Sequence, residues 1–422
     1  MFSTTIININ HHNTNYPMKY AHLADLHLGS WRDDKMREIS TKAFLIAMDH
    51  CIKNEVDFIL FAGDLFNTSL PNLDTLKIVT KKLKELQDNN IPVYAIAGSH
   101  DYSPTGKTMI DVLENAGLLI NVCKGEVIDS KLRLKFTEDK KTGAKITGIL
   151  GKKGLLDKIY YQNLELENLE QESGYKIFMF HTTISELKPK HLEKLESQPL
   201  SFLPKNFNYY AGGHIHHPTR LEEKNYGTFI YPGALFPNNF QELEKYSKGS
   251  YSLITVENEQ QTVELIPLEV IKHQSLIFNC VHKTPEVVSF EIINHFNNLD
   301  LTNSLITIRL KGSLDKGKVS DINFKEIFKQ LYSQGAYFVM KNTSQLSSEE
   351  FEEIKISNSN PENVEEEIIQ EHLQQIKLFD KETELHLTKS LLNSLNTVKN
   401  EGETVTDFQN KIKEEISKLL NF

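Results

Sequence analysis

DFILFAGDLFNTSLPNLDTLKIVTKKLKELQDNNIPVYAIAGSHD (57–101) is the stretch whose reading decides the fold. Its first eight residues are an apolar run closed by Gly63-Asp64. From Leu73 to Asn89 the apolar residues recur at helical spacing, with Lys and Glu on the outer face. PVYAIAG (92–98) is a second apolar run, closed by Ser99, His100 and Asp101. Strand, helix and strand of these lengths imply two parallel strands joined by a right-handed crossover, with both C-terminal ends at one edge of a sheet. Ligands of open α/β sheets bind at that edge.

Upstream, KYAHLAD (19–25) is another short apolar run, leading into Asp25 and His27, and Met36 to Asn54 reads as a helix. Downstream of Val122 the pattern becomes more β-like. KIFMFH (176–181) and NYYAGGH (208–214) are strands that end in His, and TFIYPGAL (228–235), SYSLITVE (250–257) and VELIPLEV (263–270) are expected to continue the sheet. Gly151 to Glu172 is charged and reads as a loop-rich insertion near the active edge. From Lys272 to Lys341 a small α+β unit is expected, with a strand at 304–312, a helix at 323–335 and a strand at 336–342. An acidic linker (347–363) precedes three apolar stripes at helical spacing: Val364 to Ile376, Leu385 to Leu395, and Phe408 to Leu420. The expected division is a flexible extension over 1–17, a catalytic domain over 18–271, a capping domain over 272–345 and an acidic helical tail over 346–422.

Composition narrows the class. At 422 residues, with 39 % hydrophobic and 25 % charged residues, the chain suits two or three globular domains of roughly 150 residues each. No segment approaches the ~18–20 consecutive apolar residues of a membrane span, and the polar start, MFSTTIININHHNTNYP, lacks the pattern of a secretory signal. Three scattered cysteines are too few for a disulfide framework or a thiolate zinc site, so a protein of the reducing cytoplasm is expected. The net charge of −10 is uneven: 17 acidic residues and 8 lysines between Leu346 and Phe422 give −9, leaving −1 for residues 1–345. A near-neutral body is compatible with a local nucleic-acid surface.

Five short motifs carry the chemistry: Asp25-Leu-His27, Gly63-Asp64, Gly98-Ser99-His100-Asp101, His181, and Gly213-His214-Ile-His216. Asp and His are ligands that divalent ions such as manganese accept. In Asp-x-His and His-x-His, alternate residues of an extended chain point to one side. Each pair can give two ligands to one metal or one to each of two, and the neighbouring glycines let the chain turn sharply. Any one motif is weak; five in order, each after a strand-like run, form the strongest signal in the sequence.

This set resembles the calcineurin-like metallophosphoesterase superfamily. More narrowly, YAHLADLHLG (20–29), FAGDLF (61–66), KTMIDVLENAGLL (107–119), GGHIHHP (212–218) and YPGAL (231–235) resemble the nuclease subunit of the double-strand-break repair complex, the SbcD type of bacteria and its archaeal counterpart. The resemblance covers roughly 18–270. It implies a four-layer α/β/β/α sandwich with a small α+β cap that contacts DNA and a C-terminal helical tail. It implies two Mn²⁺, with Mg²⁺ or other divalent ions as substitutes: one held by Asp25, His27, Asp64 and His216, the other by Asp64, His181 and His214. His100 would act on the leaving oxygen, with Asp101 orienting it. Two cations about 3.5–4 Å apart can clamp the attacking and leaving oxygens of an in-line displacement. The implied function is a DNA double-strand exonuclease and single-strand endonuclease acting on ends, hairpins and single strands. The implied partners are a second copy of the chain, through the helices at 38–54 and 73–89, and an SbcC-type coiled-coil ATPase that takes the tail helices.

Two positions depart from the family. Ser99 stands where the family has a metal-binding Asn, and Asn67 stands where it often has a His near the scissile phosphate. Trp31, Tyr102, Lys152 and Lys153 are further candidates for substrate contact, against ordinary readings as packing, turn and solvated-surface residues. His22 reads as a hydrogen-bonded core residue and His217 as a loop residue. Two alternatives stay open: a metallophosphoesterase for non-DNA phosphoesters, and a weakly catalytic scaffold for DNA and the ATPase.

Overall fold

In the computed structural model, residues 17–103, 106–188, 194–258, 260–348, 369, 373, 380–399 and 405–420 are described. The chain divides near residue 350 into two compact units. The N-terminal extension apart from Pro17, most of the acidic linker, and the first tail stripe apart from Ile369 and Leu373 lie outside the described residues.

In chain order the first unit opens with β1 (Met18–Leu23), α1 (Asp34–Lys53), β2 (Phe58–Ala62), α2 (Leu73–Asp88), β3 (Val93–Ile96), α3 (Met109–Asn115) and β4 (Ile120–Asn121). A hairpin of β5 (Gly125–Ile128) and β6 (Lys131–Leu134) leads to β7 (Thr137–Glu138), β8 (Lys145–Ile149), α4 (Lys158–Gln162), α5 (Glu167–Glu170) and β9 (Lys176–His181). Then come β10 (Tyr209–Gly213), β11 (Thr219–Glu222), β12 (Thr228–Tyr231), α6 (Phe240–Tyr246), β13 (Gly249–Glu257) and β14 (Gln260–Leu268).

These strands form two six-stranded sheets, ordered β14-β13-β1-β2-β3-β4 and β11-β12-β10-β9-β8-β7. Strands β1 to β4 run parallel, as do β8, β9, β10 and β12. Period-two alternation builds the layers. On β2, Phe58, Leu60 and Ala62 face β9 and β10 residues Ile177, Met179, Tyr209 and Ala211 in one cluster, so the sheets pack face to face. Ile59 and Phe61 face the other way, onto Phe44 and Met48 of α1 and Val79, Leu83 and Leu86 of α2. The outer face of the second sheet packs Phe178, Phe180 and Tyr210 against Tyr161 of α4 and Leu169 of α5. The result is the four-layer α/β/β/α sandwich.

Local chemistry fixes the helix starts. Asp33 caps α1 by accepting from the N–H groups of Lys35 and Met36, and Asn72 caps α2 through Thr75. Two features differ from the sequence reading. Residues 250–257 and 263–270, expected to continue the sheet after 228–235, do not pair with that strand; β13 crosses back to pair antiparallel with β1, and β14 pairs with β13 at the edge of the first sheet. Apolar alternation identifies a strand but not its neighbour. The segment 151–172 holds two short helices, because Tyr161 and Leu169 are apolar anchors buried on the second sheet.

The segment expected from the sequence as a cap forms β15 (Lys272–Asn279), α7 (Pro285–Phe296), β16 (Ser304–Leu314), α8 (Phe324–Ser333) and β17 (Phe338–Ser348), within the first unit. Its three strands are parallel in the order β15-β16-β17. Ile306, Ile308 and Leu310 join α7 and α8 in a separate core, while Leu305, Phe338 and Met340 pack into the core around α1 and α2.

In the second unit, α9 (Lys381–Leu395), capped by Asp380, and α10 (Val405–Leu420) pack on one another. Leu385, Leu391, Phe408 and Ile412 are only half-buried there. Among the described residues no helix is long and apolar enough to cross a membrane.

Candidate metal centre

The ends of β1, β2, β3, β9 and β10 meet at one edge of the sandwich. The turns after β1 and β2 are joined by backbone bonds, Asp25 N–H to the Gly63 carbonyl at 3.2 Å and His27 N–H to the Asp64 carbonyl at 2.9 Å. Asp25, His27, Asp64 and His214 all have left-handed backbones, with φ of 52°, 42°, 53° and 87°. Such conformations cost non-glycine residues energy and cluster where function over-determines the geometry. The strand-to-loop turn here aims each side chain inward.

Asp25 (0 % exposed), His27, Asp64 and His181 are buried, while His216 and His100 are partly exposed. Asp64 Oδ2 lies 3.2 Å from His181 Nε2 and 3.5 Å from His27 Nε2. Asp25 Oδ1 lies 3.8 Å from His181 Nε2 and 3.9 Å from His216 Nε2. Three groups have ligand atoms close enough to share an ion: Asp25, His27 and His216; His27, Asp64 and His100; and Asp25, Asp64 and His181.

Hydrogen bonds on the far side of each ring choose the tautomer. His181 Nδ1 is 2.8 Å from the Ala62 carbonyl, which can only accept, so Nδ1 carries a proton and Nε2 is the ring nitrogen turned toward the two carboxylates, where a cation would find its lone pair. His181 Nε2 is buried without a hydrogen-bond partner. His100 Nδ1 is fixed in the same way by the Asn67 carbonyl at 2.8 Å. His216 Nδ1 stands 3.0 Å from Glu242, and its Nε2 faces His27 Nε2 at 3.2 Å. Imidazole nitrogens gathered around two carboxylates, with no cysteine in any of the three groups, are a donor set suited to borderline divalent cations. The residues present therefore fit a metal.

The electrostatics agree. Burial disfavours charge on His181, but the Asp64 carboxylate outweighs it and lifts the ring to about 10. Burial is likewise overcome at His216, which Glu242 and Asp25 raise to about 9. His27 and His214 are pushed down to about 3 and about 4, by burial and by the surrounding imidazoles. Asp64 resists its own burial because His181, His27 and the His100 N–H hold it well below the usual carboxylate range.

The other sequence candidates separate clearly. His214 joins none of the three groups; its N–H donates to both Asp25 oxygens at 2.9 and 3.0 Å, and its ring stands 5.4 Å from that of His181. Ser99 Oγ is 3.5 Å from Asp64 Oδ2. Contrary to the expectation from sequence, Asp101 does not orient His100; its carboxylate accepts instead from the backbone N–H groups of Gly98, Leu65 and Phe66. It thereby ties the loop after β3 to the loop after β2, and the ring itself is oriented by Asn67. The Trp31 N–H is taken by the Pro237 carbonyl. Lys152 Nζ bonds the Tyr160 hydroxyl at 2.7 Å and lies 4.6 Å from the Tyr102 ring centre; Lys153 is exposed. His22 is buried and bonded to the Tyr209 hydroxyl, and His217 lies against the Tyr246 ring.

Sequence reading missed Glu242. Its only signal is the Asn239-to-Glu242 spacing of a capped helix start, which predicts a helix but not a carboxylate aimed at His216.

Glycines make the close packing possible. A Cβ on Gly213 would meet the Ala62 carbonyl oxygen at 2.0 Å and His181 Nδ1 at 2.6 Å, and one on Gly98 would meet Asp64 Oδ1 at 2.2 Å. Gly213→Ala is therefore expected to destabilise the protein by about 1–3 kcal/mol, the range of an overpacked core. It should also weaken Mn²⁺ binding by displacing His181. Thermal melting and Mn²⁺ titration check both; an unchanged pair would show that the edge can relax.

The calcineurin-like phosphoesterase pattern matches residues 18–218. The DNA double-strand break repair protein Mre11 of Archaeoglobus fulgidus is 31 % identical over 240 residues, covering 54 % of this chain and 52 % of that protein. The Mre11 protein of Saccharolobus solfataricus is 26 % identical, over 72 % and 77 %. The SbcD component of the SbcCD nuclease of Staphylococcus epidermidis is 29 % identical, over 62 % and 72 %. The chain spans about half the length of the Archaeoglobus relative.

Proposed function

We propose, from the match of residues 18–218 to the calcineurin-like phosphoesterase pattern, that the chain is a divalent-metal-dependent DNA nuclease of double-strand-break repair. The observation that carries this reading is the convergence of Asp25, His27, Asp64, His100, His181 and His216 at the joined edge of two sheets. The relatives named for break repair and for nuclease activity support DNA as the substrate.

Asp25, His27 and His216 would hold one cation, and Asp64 and His181 a second; Asp25 groups with both sets, and Asp64 Oδ2 lies 3.5 Å from His27 Nε2. Bound divalent cations, Mn²⁺ by preference, supply charge that activates the attacking water and stabilises the leaving oxygen. The protein's own groups do the rest. Ala62, Asn67 and Glu242 fix the ring orientations of His181, His100 and His216, and the His214 N–H holds Asp25. His100, partly exposed and not needed by either of these two ligand sets, would face the substrate, with Tyr102 and Lys152 on neighbouring loops.

The half-buried stripes of α9 and α10 suit docking on a coiled-coil ATPase partner, since an apolar helix face needs a groove to cover it. A homodimer through α1 and α2 is supported by Leu70, in the loop before α2, and Leu73, its first residue, which are 81 % and 82 % exposed.

The test incubates the purified chain with linear double-stranded DNA, circular single-stranded DNA and a simple phosphodiester, under Mn²⁺, Mg²⁺ or EDTA. Cutting of DNA with Mn²⁺ and none with EDTA is expected. Hydrolysis of the simple diester with both DNAs intact would overturn the substrate; silence on all three, with an ATPase partner added, would favour a scaffold.

A further inference from the structure

Helix α6 is seven residues long and buries one apolar side chain, Leu243. A helix this short has little stability of its own, so its position depends on what holds it. On the metal-site side, Glu242 accepts from His216 Nδ1 at 3.0 Å and from the Asn238 N–H at 2.9 Å. Two residues on, Glu244 accepts from Arg309 Nε with both carboxylate oxygens, at 2.8 and 2.9 Å. Arg309 lies on β16, the central strand of the cap, and its guanidinium stands 5.2 Å from the Phe240 ring centre. The two charged side chains are only 11 % and 13 % exposed. The register of β16 against β17 slips between Arg309 and Lys311, an irregularity of the kind that re-aims a side chain.

We propose that Arg309 and Glu244 are positioning residues for the metal centre. The cap holds α6 through this ion pair, and α6 holds His216 through Glu242. Arg309 touches no ligand, and its influence passes through Glu244, the helix and Glu242. The far end of the same segment is tied to the loop that follows His27, by Trp31 Nε1 on the Pro237 carbonyl at 3.1 Å and Ser30 Oγ on Asn238 at 3.3 Å. The cap strand and the first ligand loop thus hold α6 from both sides. This inference rests on the metal reading of the site.

The experiment measures Mn²⁺ affinity by titration calorimetry, without substrate, on the full chain and on Glu242→Gln, Glu244→Gln and Glu242→Gln/Glu244→Gln. Losing the group that orients a metal-binding His costs about 10–100-fold in affinity. Glu242→Gln is expected in that range, and Glu244→Gln near its lower end although it contacts no ligand. If Glu244 acts through Glu242, the double variant binds no more weakly than Glu242→Gln alone, because coupled sites are not additive. Arg309→Lys, which keeps the charge and loses the planar fork, is expected to weaken binding as Glu244→Gln does, with thermal melting confirming that each variant is folded. Unchanged affinity in both Glu244→Gln and Arg309→Lys would overturn the proposal, as would losses that multiply in the double variant. Absence of Mn²⁺ binding by the unmodified chain would instead overturn the metal reading, and this inference with it.

Discussion

Asp64→Asn is expected to reduce Mn²⁺-dependent cleavage by at least about a thousandfold and to weaken Mn²⁺ binding by more than about a hundredfold. Asp64 is the carboxylate shared between the His27/His100 group and the Asp25/His181 group. Its Oδ1 accepts the His100 N–H at 2.7 Å and its Oδ2 faces His181 at 3.2 Å. Asparagine keeps the shape and one acceptor oxygen, so the loop after β2 retains its bond to the loop after β3. What it loses is the negative charge, the property that holds cations. Groups that merely orient a metal-binding His cost about 10–100-fold when removed, so a direct and shared carboxylate should cost more. Calorimetry with Mn²⁺ and cleavage of linear DNA measure the two effects. Full Mn²⁺ affinity in a folded Asp64→Asn protein would show that the carboxylate is not a ligand.

The sequence made the Asp/His cluster at the sheet edge legible for a physical reason. A side chain that must stand at the end of a buried strand is announced by the apolar run before it and by the glycine that lets the chain turn. Asp64 after FILFAG, His181 after KIFMF and His214 after YYAGG are read this way, and Gly63, Gly98 and Gly213 are the positions where a Cβ would strike a ligand or its support. Groups that act through the backbone leave no such mark. The carbonyls of Ala62 and Asn67 orient two imidazoles, and the N–H of His214 secures Asp25, yet any residue type carries those atoms. Glu242 stayed hidden for another reason. It reaches His216 only because the chain passes from β12 through α6 before β13 returns to the first sheet, and alternation of apolar residues cannot say beside which strand a segment will lie. The same limit left the strand partners of residues 250–270 unread.

His100→Ala separates chemistry from binding, and its expected result is a fall in turnover of about 10²–10⁴, the usual contribution of a positioned acid–base group, with Mn²⁺ affinity little changed. His100 is partly exposed where Asp25, His27, Asp64 and His181 are buried, so its ring is open to a bound phosphodiester. The Asn67 carbonyl at 2.8 Å fixes its ring and leaves Nε2 toward the group it forms with His27 and Asp64. The His100 backbone N–H, which bonds Asp64, survives the substitution, so the loop geometry should persist. Linear double-stranded and circular single-stranded DNA should lose cutting together, since both reactions need the leaving oxygen stabilised at one place. If Mn²⁺ affinity drops as far as in Asp64→Asn, His100 is a ligand and the role in leaving-group chemistry must pass to another residue. If single-stranded cutting survives while double-stranded cutting is lost, His100 positions the duplex rather than acting on the scissile phosphate.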